Sequence, residues 1–296
     1  MDPRMPAGSP FTRLCQLASR PPNVDKIDLH THSTFSDGEF TPEEVVERAR
    51  RGGLAGVAIT DHDTLLGFER AKAAAGSAIE IIAGVEITTE FQGRELHLLG
   101  YFVDPQFPPL HDALASLRLA RRTRFESMLE RVQRAGLSIP EQAVDQIRQG
   151  ETALGRRHLA RLLVDHGHAR TLYDAFERFL NAANVGSIPK GRLPVAEAIA
   201  LVRAAGGVSS WAHPPSGADR EQARELQSYG LNALECDYPW ARRSHGHKLR
   251  ALAADLDLAI TGGSDCHGPQ PNNRAIGVRG VDRRELAKIK ERCLAG

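Results

Sequence analysis

The sequence predicts an α/β fold: parallel strands wrapped by helices and closed into a barrel, interrupted by a helical insertion. Three observations predict it. Short apolar runs alternate with helical stretches on both sides of the middle of the chain. Between about Leu110 and Asn184 no convincing strand occurs, only helical periodicity. The apolar runs also end in ligand-type residues: His30 and His32, His62, Glu86, His213, then Asp265 and His267. In a barrel of parallel strands all C-terminal strand ends share one face, which is where such a fold builds its site.

The first 24 residues hold Pro3, Pro6, Pro10, Pro21 and Pro22 and no apolar core, so they read as a loose tail, with Met5 as an alternative start. Lys26 to His32 is an apolar stretch with histidines two apart. Residues i and i+2 of a strand face the same way, so His30 and His32 can grip one ion together, and Asp37 follows five residues on. Thr41-Pro42-Glu43-Glu44 combines an N-cap, a first-turn proline and a capping-box glutamate, starting a helix that stops at Gly52-Gly53. Ala55–Thr60 is a buried strand leading to Asp61-His62-Asp63, and a helix follows over about Leu65–Ala75. Ile79–Val85 is the third strand, ending in Glu86, and Glu95–Val103 the fourth, with His97 inside it.

Helical spacing then takes over through Leu114, Leu117, Phe125, Leu129 and Val132, with further short helices around Leu159–Leu163 and Leu172–Leu180. Alternation resumes after Pro194: a helix over Val195–Ala205, a strand into His213, and a strand at Leu231–Cys236. A helix around His245–Ala254 and a strand from Leu256 into Gly263-Ser264-Asp265 follow, then a last short strand near Ala275–Val278 and a closing helix from Arg283. The expected division is a tail (1–24), a barrel (25–104 and 193–296) and a helical, basic insertion (105–192) covering the active site.

At 296 residues and a net charge of +1, the chain can bury a large core and carries no global charge that would mark a membrane or nucleic-acid surface. The charge is unevenly spread. Ser116–Arg192 holds 14 Lys/Arg against 8 Asp/Glu, leaving 24 against 29 elsewhere, so a basic insertion sits on an acidic body and should face something anionic. Cys15, Cys236, Cys266 and Cys293 lack Cys-x-x-Cys spacing and read as reduced thiols of a cytoplasmic protein. No obligate protein partner is evident.

Together the strand-end residues with Asp37 and His97 supply six histidines and three carboxylates, too many for one ion. Two or three ions sharing a carboxylate is the economical reading. His111, His166, His168, His245 and His247 lack this context.

The ordered set His30-x-His32, Thr60-Asp61-His62, Gly84-Val85-Glu86, His97, Ala212-His213-Pro214 and Gly263-Ser264-Asp265-x-His267 resembles the PHP (polymerase and histidinol phosphatase) metallophosphoesterases over about residues 25 to 280. The resemblance implies a distorted (β/α)7 barrel and two to three divalent ions, Mn²⁺ foremost, with Fe²⁺ or Zn²⁺ as alternatives. It implies one ion on His30, His32, Glu86 and Asp265, and a second on Glu86, His97 and His213. A third would take Asp37, His62 and His267, although relatives often carry histidine where Asp37 stands.

The insertion between His97 and His213 resembles the branch that removes the 3′-phosphate of nucleoside 3′,5′-bisphosphates and, in some members, trims short 5′-phosphorylated RNA from its 5′ end. Gly155-Arg156-Arg157-His158 and Val185–Lys190 resemble segments of that branch, which makes Arg157, His158 and Lys190 the candidate substrate-binding residues. Paired ions roughly 3.5–4 Å apart can activate a bridging water and neutralise phosphoryl oxygens. Asp265, His213 and His267 are the candidates for handling the leaving group's proton. The rival readings are a histidinol-phosphate type phosphatase, an amidohydrolase, which would bridge its metals with a strand-end lysine, and a non-catalytic metal-binding domain.

Overall fold

The structure, a computed structural model, describes residues 25–149 and 152–294, so the expected tail and Cys15 lie outside it. Three parallel strands open the wall: β1 (Lys26–Asp28), β2 (Gly56–Ile59) and β3 (Glu80–Phe91). Helices α1 (Pro42–Arg51) and α2 (Gly67–Ala75) connect them. The start of α1 follows from its local sequence: Thr41 Oγ1 accepts the Glu44 N–H and the Glu44 carboxylate accepts the Thr41 N–H at 2.8 Å.

The wall then reverses. β4 (Arg94–Tyr101) pairs antiparallel with β3, joined by a two-residue turn at Gln92 and Gly93, both at positive φ as a type I′ hairpin requires. Glu86 therefore does not end its strand, as the sequence suggested. β3 continues to Phe91 because its backbone groups find partners in β4 beyond the barrel rim.

From β4 the chain enters the helices α3 (Pro108–Arg134), α4 (Glu141–Arg148), α5 (Arg156–Asp165), α6 (Leu172–Arg178) and α7 (Ala182–Val185). Leu110, Leu114 and Leu117 of α3 pack into the barrel's helical layer, whereas Phe125, Met128, Leu129 and Val132 join Leu159, Leu163 and Leu180 in a separate core. One long helix thus ties the two cores together. The short β5 (Leu193–Pro194) returns beside the far end of β3, and α8 (Val195–Ala204) leads back to the wall.

β6 (Val208–Trp211) lies antiparallel to β4, and β7 (Ala233–Asp237) and β8 (Ala259–Gly262) follow in parallel. Between them run α9 (Arg220–Ser228), which the sequence reading missed, and α10 (Arg243–Asp255). The sheet nearly closes: Leu29 N–H donates to Gly262 O at 3.1 Å and Thr31 bridges Cys266 in parallel. Seven wall strands with β4 reversed make the distorted barrel. The last strand is β9 (Val281–Asp282), antiparallel to β1, and not Ala275–Val278. Residues 275–278 turn instead, with Gly277 at φ +81° and its N–H on Asp28 Oδ2. Helix α11 (Arg283–Leu294) closes the described chain.

Among the described residues no helix is long and apolar enough to cross a membrane. Cys236, Cys266 and Cys293 are free thiols.

Candidate metal centre

His30 and His32 lie just past β1, where the chain stays extended between β2 and the segment after β8. Gly263 makes this possible: a Cβ there would lie 2.3 Å from the His30 backbone nitrogen. His62 follows β2, Glu86 projects from β3, His97 from β4, His213 follows β6, and Asp265 and His267 follow β8. Asp37 sits in the loop after His32. That loop is tied down by Asp61, whose carboxylate accepts Ser33 N–H, Ser33 Oγ–H and Ser36 Oγ–H, each at 2.6 Å.

These nine side chains converge. Glu86 Oε2 is 3.2 Å from His30 Nε2, 3.1 Å from His32 Nε2 and 3.2 Å from His62 Nδ1. Its Oε1 is 2.8 Å from His97 Nδ1 and 2.9 Å from His213 Nε2. Asp265 Oδ1 is 3.1 Å from His32 Nε2 and 3.3 Å from His267 Nδ1, and Asp37 Oδ1 is 3.2 Å from His267 Nε2.

Three overlapping groups have ligand atoms mutually within 4.8 Å: His30, His32, Glu86 and Asp265; His62, Glu86 and His97; His32, Asp37, His62 and His267. The first is the set the family resemblance implies for one ion. The second contains His62 where His213 was expected, and the third gains His32.

Two observations show that the residues fit divalent cations. Among the described residues, five buried side-chain polar atoms lack a hydrogen-bond partner, and four of them are His30 Nε2, His32 Nε2, Asp37 Oδ1 and His62 Nδ1. They stand close to carboxylate or imidazole neighbours without hydrogen-bond geometry, which is costly unless an ion takes their lone pairs. The field has the right sign as well. Against the penalty of burial, Asp265 and Glu86 raise the His32 pKa to about 9, and Glu86 and Glu95 raise that of His97 to about 9. Burial pulls His62 well below the usual imidazole range. Burial would also raise Glu86, but the surrounding histidines hold it well below the carboxylate range.

Backbone strain marks the same place. His213, Asp265 and Asp63 adopt φ of +30°, +45° and +52°, a region that costs a side chain about 1 kcal/mol or more.

The sequence reading missed several supporting residues. Glu235, fully buried on β7, accepts from His30 Nδ1–H at 2.9 Å and from His213 N–H at 2.6 Å. Glu95 accepts from His97 Nε2 at 3.0 Å and binds Lys190 Nζ at 2.6 Å. Arg274 grips the Asp265 carboxylate and carbonyl. Arg121 of α3 reaches Asp63 and Thr88, which anchors the insertion next to His62. Only Glu95 and Glu235 had a readable cue, as carboxylates on strands beside histidine-bearing ones.

A cavity of about 350 Å³ opens over the centre, lined by the ligand residues Asp37, His62, Glu86 and His213 and also by Arg124, Arg156, Arg157 and Lys190. The candidate substrate-binding residues fare differently. Arg157 and Lys190 line this cavity, each already paired with a carboxylate: Glu39 at 2.9 Å and Glu95 at 2.6 Å. His158 does not line it. Its Nδ1 accepts the Gly155 N–H at 3.0 Å and closes the first turn of α5. Arg156 sits 5.8 Å above the Phe176 ring, and among the described residues Arg124 reaches only the Ile188 carbonyl.

The chain matches the PHP domain family over residues 28–177. It is 32% identical over 255 residues to the 5′-3′ exoribonuclease Rnm of Escherichia coli, covering 82% of this chain and 86% of that one. It is 31% identical over 264 residues to the 3′,5′-nucleoside bisphosphate phosphatase of Chromobacterium violaceum, covering 85% and 90%. A solved structure from Bifidobacterium adolescentis, described as a metal-dependent phosphoesterase, superposes with a TM-score of 0.84 at 34% identity, covering 92% of this chain and 98% of that one. Fold, convergent ligand set and relatives agree: the chain belongs to the PHP domain family of metal-dependent phosphoesterases.

Proposed function

We propose that this phosphoesterase hydrolyses phosphate monoesters of nucleotides, foremost the 3′-phosphate of nucleoside 3′,5′-bisphosphates, and also acts on short 5′-phosphorylated RNA. The observation that carries this reading is the set of nine convergent ligand residues, seven of which line one cavity together with Arg124, Arg156 and Arg157. His30, His32, Glu86 and Asp265 would hold one divalent ion, with Glu86 shared by a second site at His62, His97 and His213. Asp37, His62 and His267, with His32 alongside, would hold a third. Manganese suits this mixed imidazole and carboxylate set, as do iron and zinc. Bound ions supply Lewis-acid charge and an activated water.

The protein's own part is positioning and charge. Burial would raise the Asp265 carboxyl, but His267, His30 and Arg274 hold it well below the usual carboxylate range, which suits it to holding an ion and not to handing over a proton. A second, non-reacting phosphate needs cations of its own. Arg157 and Lys190 bring neutralising partners with them, so Arg124 and Arg156 beside them carry the larger share of that task. Glu86 stands where an amidohydrolase would place a lysine, which favours the phosphoesterase reading over its rival.

The test is a ratio. Arg124→Ala or Arg156→Ala should lose roughly ten- to a hundred-fold in kcat/KM on a 3′,5′-bisphosphate, the size of a lost charged hydrogen bond. The same variant should turn over a small aryl phosphate nearly normally. Elemental analysis of metal-replete protein should find two or three ions per chain. Equal losses on both substrates, or at most one ion, would refute the reading.

A further inference from the structure

Trp240 follows β7 and stands at the mouth of the metal cavity with its side chain 51% exposed. A large apolar ring left half in water at the edge of a site is a surface waiting for a flat partner. It is held in place: its ring lies 5.4 Å from those of His213 and Tyr238, and the Arg274 guanidinium is 4.9 Å from its centre.

The same indole also lines a neighbouring cavity of about 670 Å³, so that one ring borders both. Arg242, Lys248, Ser216 and Ser244 contribute to that second wall, and no carboxylate does. Lys248 donates to Ala218 O at 2.9 Å and keeps its remaining donors, while Arg242 is exposed.

Where the metal cavity adjoins a third one, through Glu95, Arg124, Arg156 and Lys190, the chemistry differs. There Arg124, Arg156 and Arg192 crowd around Glu95 and Lys190 in a cavity with no aromatic wall. That suits a compact, multiply charged phosphate, and the nearest ring, Phe176 in the metal cavity, is already covered by the Arg156 guanidinium at 5.8 Å.

We propose that a single strand of nucleic acid leaving the metal centre stacks a base on Trp240 and lays its following phosphates along Arg242 and Lys248. The strand path thus runs over the Trp240 side, away from the arginine cavity. This rests on the nucleotide reading above and extends it to oligonucleotides longer than one unit. Stacking on an aromatic ring beside cations is tolerant of sequence, because every base has a π-face.

The experiment measures binding of a hydrolysis-resistant, 5′-phosphorylated RNA trinucleotide to the metal-replete protein. The probe is compared with an abasic trinucleotide of the same length. Calorimetric titration is the readout for every variant, and quenching of Trp240 fluorescence checks the wild-type complex, since the only other indole, Trp211, is 4% exposed. Trp240→Ala should weaken the trinucleotide about five- to hundred-fold, the size of one base–aromatic stack, and Trp240→Phe should restore most of it. Arg242→Ala with Lys248→Ala should make the slope of log K against log salt shallower by about 1.4, two phosphate contacts on a single strand.

Equal affinity for the abasic and intact trinucleotides would overturn the proposal. So would loss of trinucleotide binding in Arg124→Ala and Arg156→Ala while Arg242→Ala/Lys248→Ala binds and responds to salt as the wild type does. Turnover of a mononucleotide bisphosphate by the wild type is measured separately. If it proceeds while the trinucleotide shows no dependence on bases, this inference fails and the proposed function stands.

Discussion

Replacing Glu235 by glutamine should weaken metal binding without unfolding the barrel. The carboxylate is fully buried and receives two donors: His30 Nδ1–H at 2.9 Å and the His213 backbone N–H at 2.6 Å. Glutamine fills the same volume, but its amide has one oxygen to offer and one NH₂ group. With the NH₂ turned to His30, the imidazole must move its proton to Nε2, the atom that faces Glu86 and Asp265 at 3.2 and 3.5 Å. That proton sits where an ion needs a lone pair. With the NH₂ turned to His213 instead, a buried N–H loses its acceptor at a cost of about 1–3 kcal/mol, and His213 shifts. Either way a ligand is spoiled.

Partners that fix a ligating histidine are typically worth about 10–100-fold in metal affinity, roughly 1.4–2.7 kcal/mol. Calorimetric titration of the metal-free variant with Mn²⁺ measures this loss, and ¹⁵N chemical shifts of His30 report its tautomer. Far-UV circular dichroism checks that the fold survives. Unchanged Mn²⁺ affinity with unchanged His30 shifts would refute the reasoning.

Glu86 touches five histidines through its two oxygens, so Glu86→Gln should cost orders of magnitude in turnover while the protein stays folded; Asp37→Ala, confined to the outermost ligand group, should be milder. Steady-state kinetics on one phosphate monoester decides it, and near-normal turnover in Glu86→Gln would remove the central assignment. Gly263→Ala places a methyl 2.3 Å from the His30 nitrogen and should destabilise the protein by a few kcal/mol, in the range of overpacked sites. Chemical denaturation measures that loss, and wild-type stability would show that the two segments are less tightly joined than described.

The barrel class and the nine converging residues are legible in the chain before it folds. Strand–helix rhythm sets which face the strand ends occupy, and metal binding demands particular atoms there, so both are written locally. The start of α1 was legible for the same reason, its capping box spanning four residues. The same local logic would have found α9, where Asp219 and Gln222 form another box.

Pairings between residues far apart in the chain are set by packing and are not written locally. The reversal of β4 depends on partners in β3 and β6, and the turn residues Gln92-Gly93 are a weak signal alone. Arg157 and Lys190 looked free in sequence, yet they meet Glu39 and Glu95 across separations of 118 and 95 residues. Glu235 read as one more residue of a buried strand, and Arg274 drew no reading at all. Their roles arise because the closed wall carries Glu235 to His30 across 205 residues and the loop after β8 folds Arg274 back onto Asp265. A carboxylate or guanidinium can serve a metal site, a salt bridge or bulk water, and which of these it meets is set by the packing around it.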